Sequence, residues 1–95
     1  SNTNSPSKVV VLNAGAASGS AKKAADSLPA NTTTLTVSDA TEKVSGTKLI
    51  TLNPQKTDSK GTLLSALTAT EYSGTSSAYK KLYPNADFII LVGKN

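Results

Sequence analysis

Residues 8–20 read KVVVLNAGAASGS, an apolar run followed by small residues. Lys8 to Leu12 form a run rich in β-branched side chains with no polar alternation after the lysine. Such a run suits a strand buried on both faces. Asn13 to Ser20 then supply a turn of small residues. Beyond it Ala21, Ala24, Ala25 and Leu28 stand at i, i+3, i+4 and i+7, with Lys22, Lys23 and Asp26 opposite. That spacing predicts a short amphipathic helix with a small-residue inner face, stopped by Pro29 and Asn31.

Thr32 to Ser38 (TTTLTVS) alternate, with Thr33, Leu35 and Val37 on one side, which predicts an edge strand with one wet face. Asp39 to Thr47 are polar and include a Gly turn, and Lys48 to Leu52 (KLITL) form a third strand broken by Pro54. Asp58 is expected to cap a second helix, carried by Leu63, Leu64 and Leu67 and ending near Ala69. After a loop with Gly74, Ala78, Tyr79, Leu82 and Tyr83 mark a third short helix over Ser76 to Tyr83, stopped by Pro84. Asp87 to Val92 (DFIILV) close the chain as an apolar fourth strand.

The expected fold class is therefore α/β, a compact βαββα(α)β sandwich with a four-stranded sheet. The segments Lys8 to Asn13 and Lys48 to Asn53 echo each other, and each precedes a helix. A true repeat favours a ferredoxin-like order with the first and third strands in the middle of an antiparallel sheet. The apolar fourth strand favours a place beside the first in a mixed parallel/antiparallel order. Asn13 and Asn53 at opposite ends of the sheet are expected to indicate the ferredoxin-like order, and at one edge the parallel one.

With 95 residues the chain holds one core. Residues 1–7 read as a tag remnant and linker cut from a longer protein, and residues 8–95 as a single domain. No Cys and no His is present, which closes off thiol chemistry, imidazole base catalysis and the usual zinc sites. No metal and no cofactor is expected. The ten basic residues are all lysine and give a net charge of +4, but none stands in a run longer than two, so no nucleic-acid patch is expected. No apolar stretch of about 18 residues is present, so this segment is not expected to insert in a membrane. Ser and Thr make up about a quarter of the chain, which fits an extracytoplasmic setting.

Val9-Val10-Val11-Leu12-Asn13, then Ser18-Gly19 and Ala21 opening a helix, with Ala86 to Gly93 as the final strand, resemble the LytR C-terminal domain family. The match spans both ends of the chain and is weak in the middle. The family turn reads Leu-Asn-Gly-x-Gly-x-x-Gly, and Ala14 and Ala16 stand here where two of those glycines would be, while Gly15 and Gly19 remain. The resemblance implies an accessory module of LytR-CpsA-Psr proteins, which attach anionic glycopolymers to peptidoglycan. It implies an extracytoplasmic position, tethered to the membrane through the parent protein, and supplies no reaction for this domain.

Candidate ligand-binding residues are Asn13, Gly15, Ser18, Gly19, Lys22 and Lys23 in and after the turn, together with Tyr72. A strand-to-helix turn with free N–H groups and lysines one turn on suits an anion. A plainer reading has Ser18 capping the helix and Asn13 bonding back to the loop. Tyr72, in a Thr/Ser/Gly loop, is the tyrosine expected to be exposed to a sugar, whereas Tyr79 and Tyr83 are expected to face the core with their hydroxyls at the rim. A dinucleotide site, raised by Asp39 lying downstream of Gly15, fails for want of three glycines and a second half. RNA binding fails because neither central strand carries an aromatic residue. Ser18 with Lys22 is an ordinary i, i+4 pair, and no carboxylate sits in a setting that raises its pKa, so no catalytic residue is expected. The expected partners are wall glycan or an anionic wall polymer, with the parent's catalytic domain or an envelope partner as the alternative.

Overall fold

The computed structural model describes residues 7–29, 32–53, 57–72 and 76–94. The elements are β1 (Ser7–Ala14), α1 (Ser20–Asp26), β2 (Thr32–Asp39), β3 (Thr47–Thr51), α2 (Thr57–Leu67), β4 (Thr70–Glu71), α3 (Ser76–Leu82) and β5 (Phe88–Gly93). They form a mixed α/β domain whose one five-stranded sheet runs β2-β1-β5-β3-β4. β1 is parallel to β2 and to β5, β5 is antiparallel to β3, and β3 is parallel to β4.

The two apolar runs form β1 and β5 in the middle of the sheet, where both faces are covered. Val9, Val11, Leu49, Phe88, Ile90 and Val92 face α1 and α2, meeting Ala21 and Leu63 with Ala24, Ala25 and Leu28 at the edge. Val10, Leu12, Ala14, Ile50, Leu52, Ile89 and Leu91 face the other way, toward Tyr79 of α3, with Ala40, Val44, Tyr72 and Tyr83 packed around them. Burying an aliphatic side chain of this kind stabilises the fold by about 1.5–3 kcal/mol. The alanine face of α1 lets that helix lie close to the sheet.

Several expectations change. The sheet has five strands rather than four, the addition being the two-residue β4. The order is not ferredoxin-like: β5 lies between β1 and β3 and parallel to β1, as its unbroken apolar sequence suggested. Asn13 and the end of β3 do lie at opposite ends of the sheet, yet this follows from β3 running against β5 rather than from a ferredoxin order. The echo marks the first strand of each of two βαβ units, β1-α1-β2 and β3-α2-β4, which run in opposite directions on either side of β5. Ser7, read as linker, is the first residue of β1 and is buried against Thr32 of β2.

β2 is an edge strand, but its alternation is interrupted. The register slips between Val9 and Val10, which pair with Thr34 and Thr36, and Leu35 is the extra residue of the bulge. A bulge inverts the side-chain parity beyond it, so Thr33 and Val37 do not share a face, and Leu35 and Val37 are 41% and 44% exposed. Asp58 lies in the first turn of α2 rather than before it. Tyr79 of α3 and Tyr83 just after it turn inward, while Ala78 is exposed and Leu82 is 66% exposed. Asn31, Pro54 and Gly74 lie outside the described residues.

Candidate functional site

The turn after β1 is held by one side chain. The Asn13 Oδ1 accepts the backbone N–H groups of Gly15 at 3.1 Å and Ala16 at 2.8 Å, and its Nδ2 donates to the Ala17 carbonyl at 3.4 Å. Asparagine suits this task because its amide reaches its own backbone two and three residues on. Gly15 turns the chain with φ 106°, a value that side chains disfavour. The residue before α1 is Gly19, in left-handed conformation and with no side-chain cap, so Ser18 is not the cap it was expected to be.

Residues 40–46 pass over the carboxyl ends of β1 and β5 like a strap. Ala40 N donates to Asn13 O at 2.9 Å, Val44 N to Ala14 O at 3.0 Å, Gly46 N to Lys94 O at 2.8 Å, Gly93 N to Gly46 O at 2.9 Å and Lys94 N to Val44 O at 3.2 Å. The approach is so close that a Cβ on Gly93 would overlap the Val44 carbonyl and stand 2.6 Å from the Gly46 oxygen. Lys43 lays its stem against Gly15, where a Cβ would come 3.5 Å from its Cβ and Cγ.

Between the turn, α1 and the strand ends lies an open crevice of about 580 Å³, lined by Gly15, Ala16, Ala17, Ser20, Lys23, Thr47, Val92, Gly93 and Lys94. It sits where open α/β sheets place ligands, outside the carboxyl ends of parallel strands, beside the point where the connection from β1 leads away from β5. Its lining offers two ammonium groups, two hydroxyls and the backbone of two glycines, and includes no carboxylate. Such a lining is complementary to negative charge and to hydroxyl groups.

Of the residues singled out in the sequence, Gly15 and Lys23 line this crevice, and Asn13 shapes it from beneath. Ser18, Gly19 and Lys22 are exposed but do not line it. Tyr72 is not part of it. Its ring is half-buried on the opposite face of the sheet and its hydroxyl donates to Glu42 Oε1 at 2.9 Å. Glu42 receives a second hydroxyl, from Tyr79, on Oε2 at 2.8 Å. That carboxylate holds the Tyr72 phenol above its ordinary pKa, chiefly through the hydrogen bond, then through burial and charge repulsion. Thr47, Lys94 and Glu42 are not among the candidate residues that the sequence marks. Lys94 and Thr47 carry no local signal, and Glu42 sits in a polar stretch whose partners are 30 and 37 residues away.

At the opposite end of the sheet Asp87 ties three strands together. Its Oδ2 accepts the Lys8 N–H at 2.9 Å and its Oδ1 the Asn53 Nδ2 at 3.0 Å, while its backbone carbonyl accepts Leu52 and Asn53 N–H groups. This carboxylate is occupied in holding the sheet. No described helix is long and apolar enough to cross a membrane. No family model, curated protein or solved structure matches the chain.

Proposed function

We propose that the chain is a non-catalytic, extracytoplasmic accessory module of a cell-wall-assembly protein, and that its crevice contacts an anionic wall polymer or peptidoglycan. The observation that carries this reading is the crevice at the carboxyl ends of β1 and β5, with Lys23, Lys94, Ser20 and Thr47 in a lining that includes no carboxylate. The resemblance of the two terminal strand motifs to the LytR C-terminal domain family supports the cellular setting, and the lack of Cys and His supports a binding rather than a chemical role. Ala14 and Ala16 bear on that role differently. Ala14 is fully buried in the sheet, so its methyl does not meet a ligand, whereas Ala16 lines the crevice and narrows it.

Chemical-shift titration with purified wall teichoic acid and with peptidoglycan fragments tests the reading. The expected response is concentrated at Gly15, Ala16, Ala17, Lys23, Thr47 and Lys94, weakens with added salt, and falls sharply in Lys23→Ala/Lys94→Ala. No response at millimolar ligand overturns it.

A second reading, a protein-interaction module docking on its parent catalytic domain or an envelope partner, is favoured by one observation. β2 is an eight-residue edge on which Leu35 and Val37 are exposed, and such edges accept an extended strand. Cross-linking in the full-length parent from positions 35 and 37 is the test. Unchanged parent activity and localisation after deletion of the domain would remove this reading.

A further inference from the structure

The crevice lies on one face of the sheet, and the Glu42 cluster lies on the other. We propose that Glu42 is a positioning residue for the crevice: with Tyr72 and Tyr79 it locks residues 40–46 across the strand ends, and that lock sets where Thr47, Gly93 and Lys94 stand. The ligand half of this proposal rests on reading the crevice as an anion site. The lock itself does not.

The strap is held by backbone bonds to the ends of β1 and β5 and, through side chains, by what lies beneath it. Ala40 and Val44 pack on the core from the same side as the tyrosines. Glu42 adds a directional hold, one carboxylate oxygen for each hydroxyl, at 2.9 Å to Tyr72 and 2.8 Å to Tyr79. Both donors are themselves fixed. Tyr79 is only 4% exposed within the core and belongs to α3, while Tyr72 follows β4 and its N–H donates to the Leu49 carbonyl at 2.9 Å. Hydroxyl–carboxylate bonds to rigid rings are stronger than neutral ones and specify a position rather than a general attraction.

What the lock positions is the far side of the crevice. Gly46 and Val44 bond to Gly93 and Lys94, and Thr47 follows Gly46 directly. Three lining residues, Thr47, Gly93 and Lys94, are thus bonded to the strap or next to it in sequence. Lys43, the neighbour of Glu42, covers Gly15 at the opposite rim. With no Cβ, Gly93 leaves the strap nothing to rest on but backbone, so the height of the strap above the strand ends is decided by its bonds and its anchor. α3 and the segment after β4 thereby reach a site that neither touches.

Native-state amide hydrogen exchange tests the lock without any ligand. Loss of one such bond is expected to speed exchange at Val44, Gly46 and Lys94 by about tenfold relative to Ile50 and Ile89, as for a charge-assisted bond of ordinary net strength. Tyr72→Phe and Tyr79→Phe each remove one bond and keep the ring. Glu42→Ala removes both, and Glu42→Gln, with one carbonyl acceptor, is expected to fall between. Faster exchange at the strap and the core in equal measure, as general destabilisation gives, overturns the proposal, and so does no change. In a second arm, wild type and the two Phe variants are titrated with the same wall teichoic acid. If the Phe variants loosen the strap yet bind as tightly as wild type, the link to the crevice is overturned. If wild type does not bind, the anion reading falls, and the exchange data alone support or overturn the lock.

Discussion

Gly93 and Gly61 show how differently one missing Cβ can act. At Gly93 a Cβ has no place, because the Val44 and Gly46 carbonyls of the strap occupy it, and backbone cannot swing aside as a side-chain end can. Gly93→Ala is expected to lower stability by about 3 kcal/mol, the upper range for overpacking, in chemical denaturation. Gly61 lies within α2 with open space around it, and Gly61→Ala is expected to raise stability by about 0.5–1 kcal/mol in the same assay, since alanine loses less chain entropy in a helix. Tyr72 gives the residue-scale pH response. Because Glu42 raises its pKa, the unfolded chain releases the phenolic proton at a lower pH than the folded one. The stabilising effect is therefore complete below the ordinary tyrosine value of about 10 and is lost as pH rises through the folded pKa. Denaturation midpoints measured across that alkaline range should fall more steeply in wild type than in Tyr72→Phe, a difference that cancels the lysines common to both. The task of Asn13 was legible, since its amide has few uses in a strand-to-helix turn. That of Glu42 was not, because its hydrogen-bond partners come from distant elements.

At the scale of the element, the two edges of the sheet are treated unequally. β4 has two residues, and the charges beside it are engaged: Lys48 Nζ meets Thr70 Oγ1 at 3.0 Å and Lys60 Nζ meets Glu71 Oε1 at 2.8 Å. A short, charged edge resists unwanted pairing. β2 carries no charge from Thr32 to Ser38, and the bulge at Leu35 and the carboxylate of its last residue, Asp39, interrupt it. The exposure of Leu35 and Val37 means that little of their burial supports the fold, so Val37→Lys is expected to change stability by less than about 0.5 kcal/mol while placing a charge on the edge. Thermal denaturation checks the first effect, and sedimentation at high concentration checks whether the added charge reduces self-association. A larger stability loss would mean that the face of β2 is packed more firmly than its exposure indicates. The bulge also explains why the sequence reveals this strand only in part. Alternation in sequence assigns faces on the assumption of an unbroken register, and a single extra residue inverts everything beyond it.

For the whole molecule, β5 is the element on which the rest depends. The two βαβ units lie on either side of it, and β1 and β3 meet through it rather than directly. Its pairing with β1 joins Val9 to Phe88 across most of the chain, a long loop closure that places folding among the slower small domains. A chain ending at Asp87 is expected to lack dispersed amide resonances and a cooperative melt, because it loses the central strand of both core faces. Native-like spectra from that truncation would show that the units fold alone. The two buried strands, the small-residue face of α1, the inward turn of Tyr79 and Tyr83 and the staple at Asn13 follow from the amino-acid sequence alone, because periodicity, β-branching and turn chemistry act between near neighbours. The strand order, the bulge in β2, the seat of the strap on Gly93, and the grouping of Lys23 with Thr47 and Lys94 apart from Tyr72 emerge from the packed fold. Those features depend on which distant segments share space, and that is set by packing both faces of one sheet at once, which no local pattern encodes.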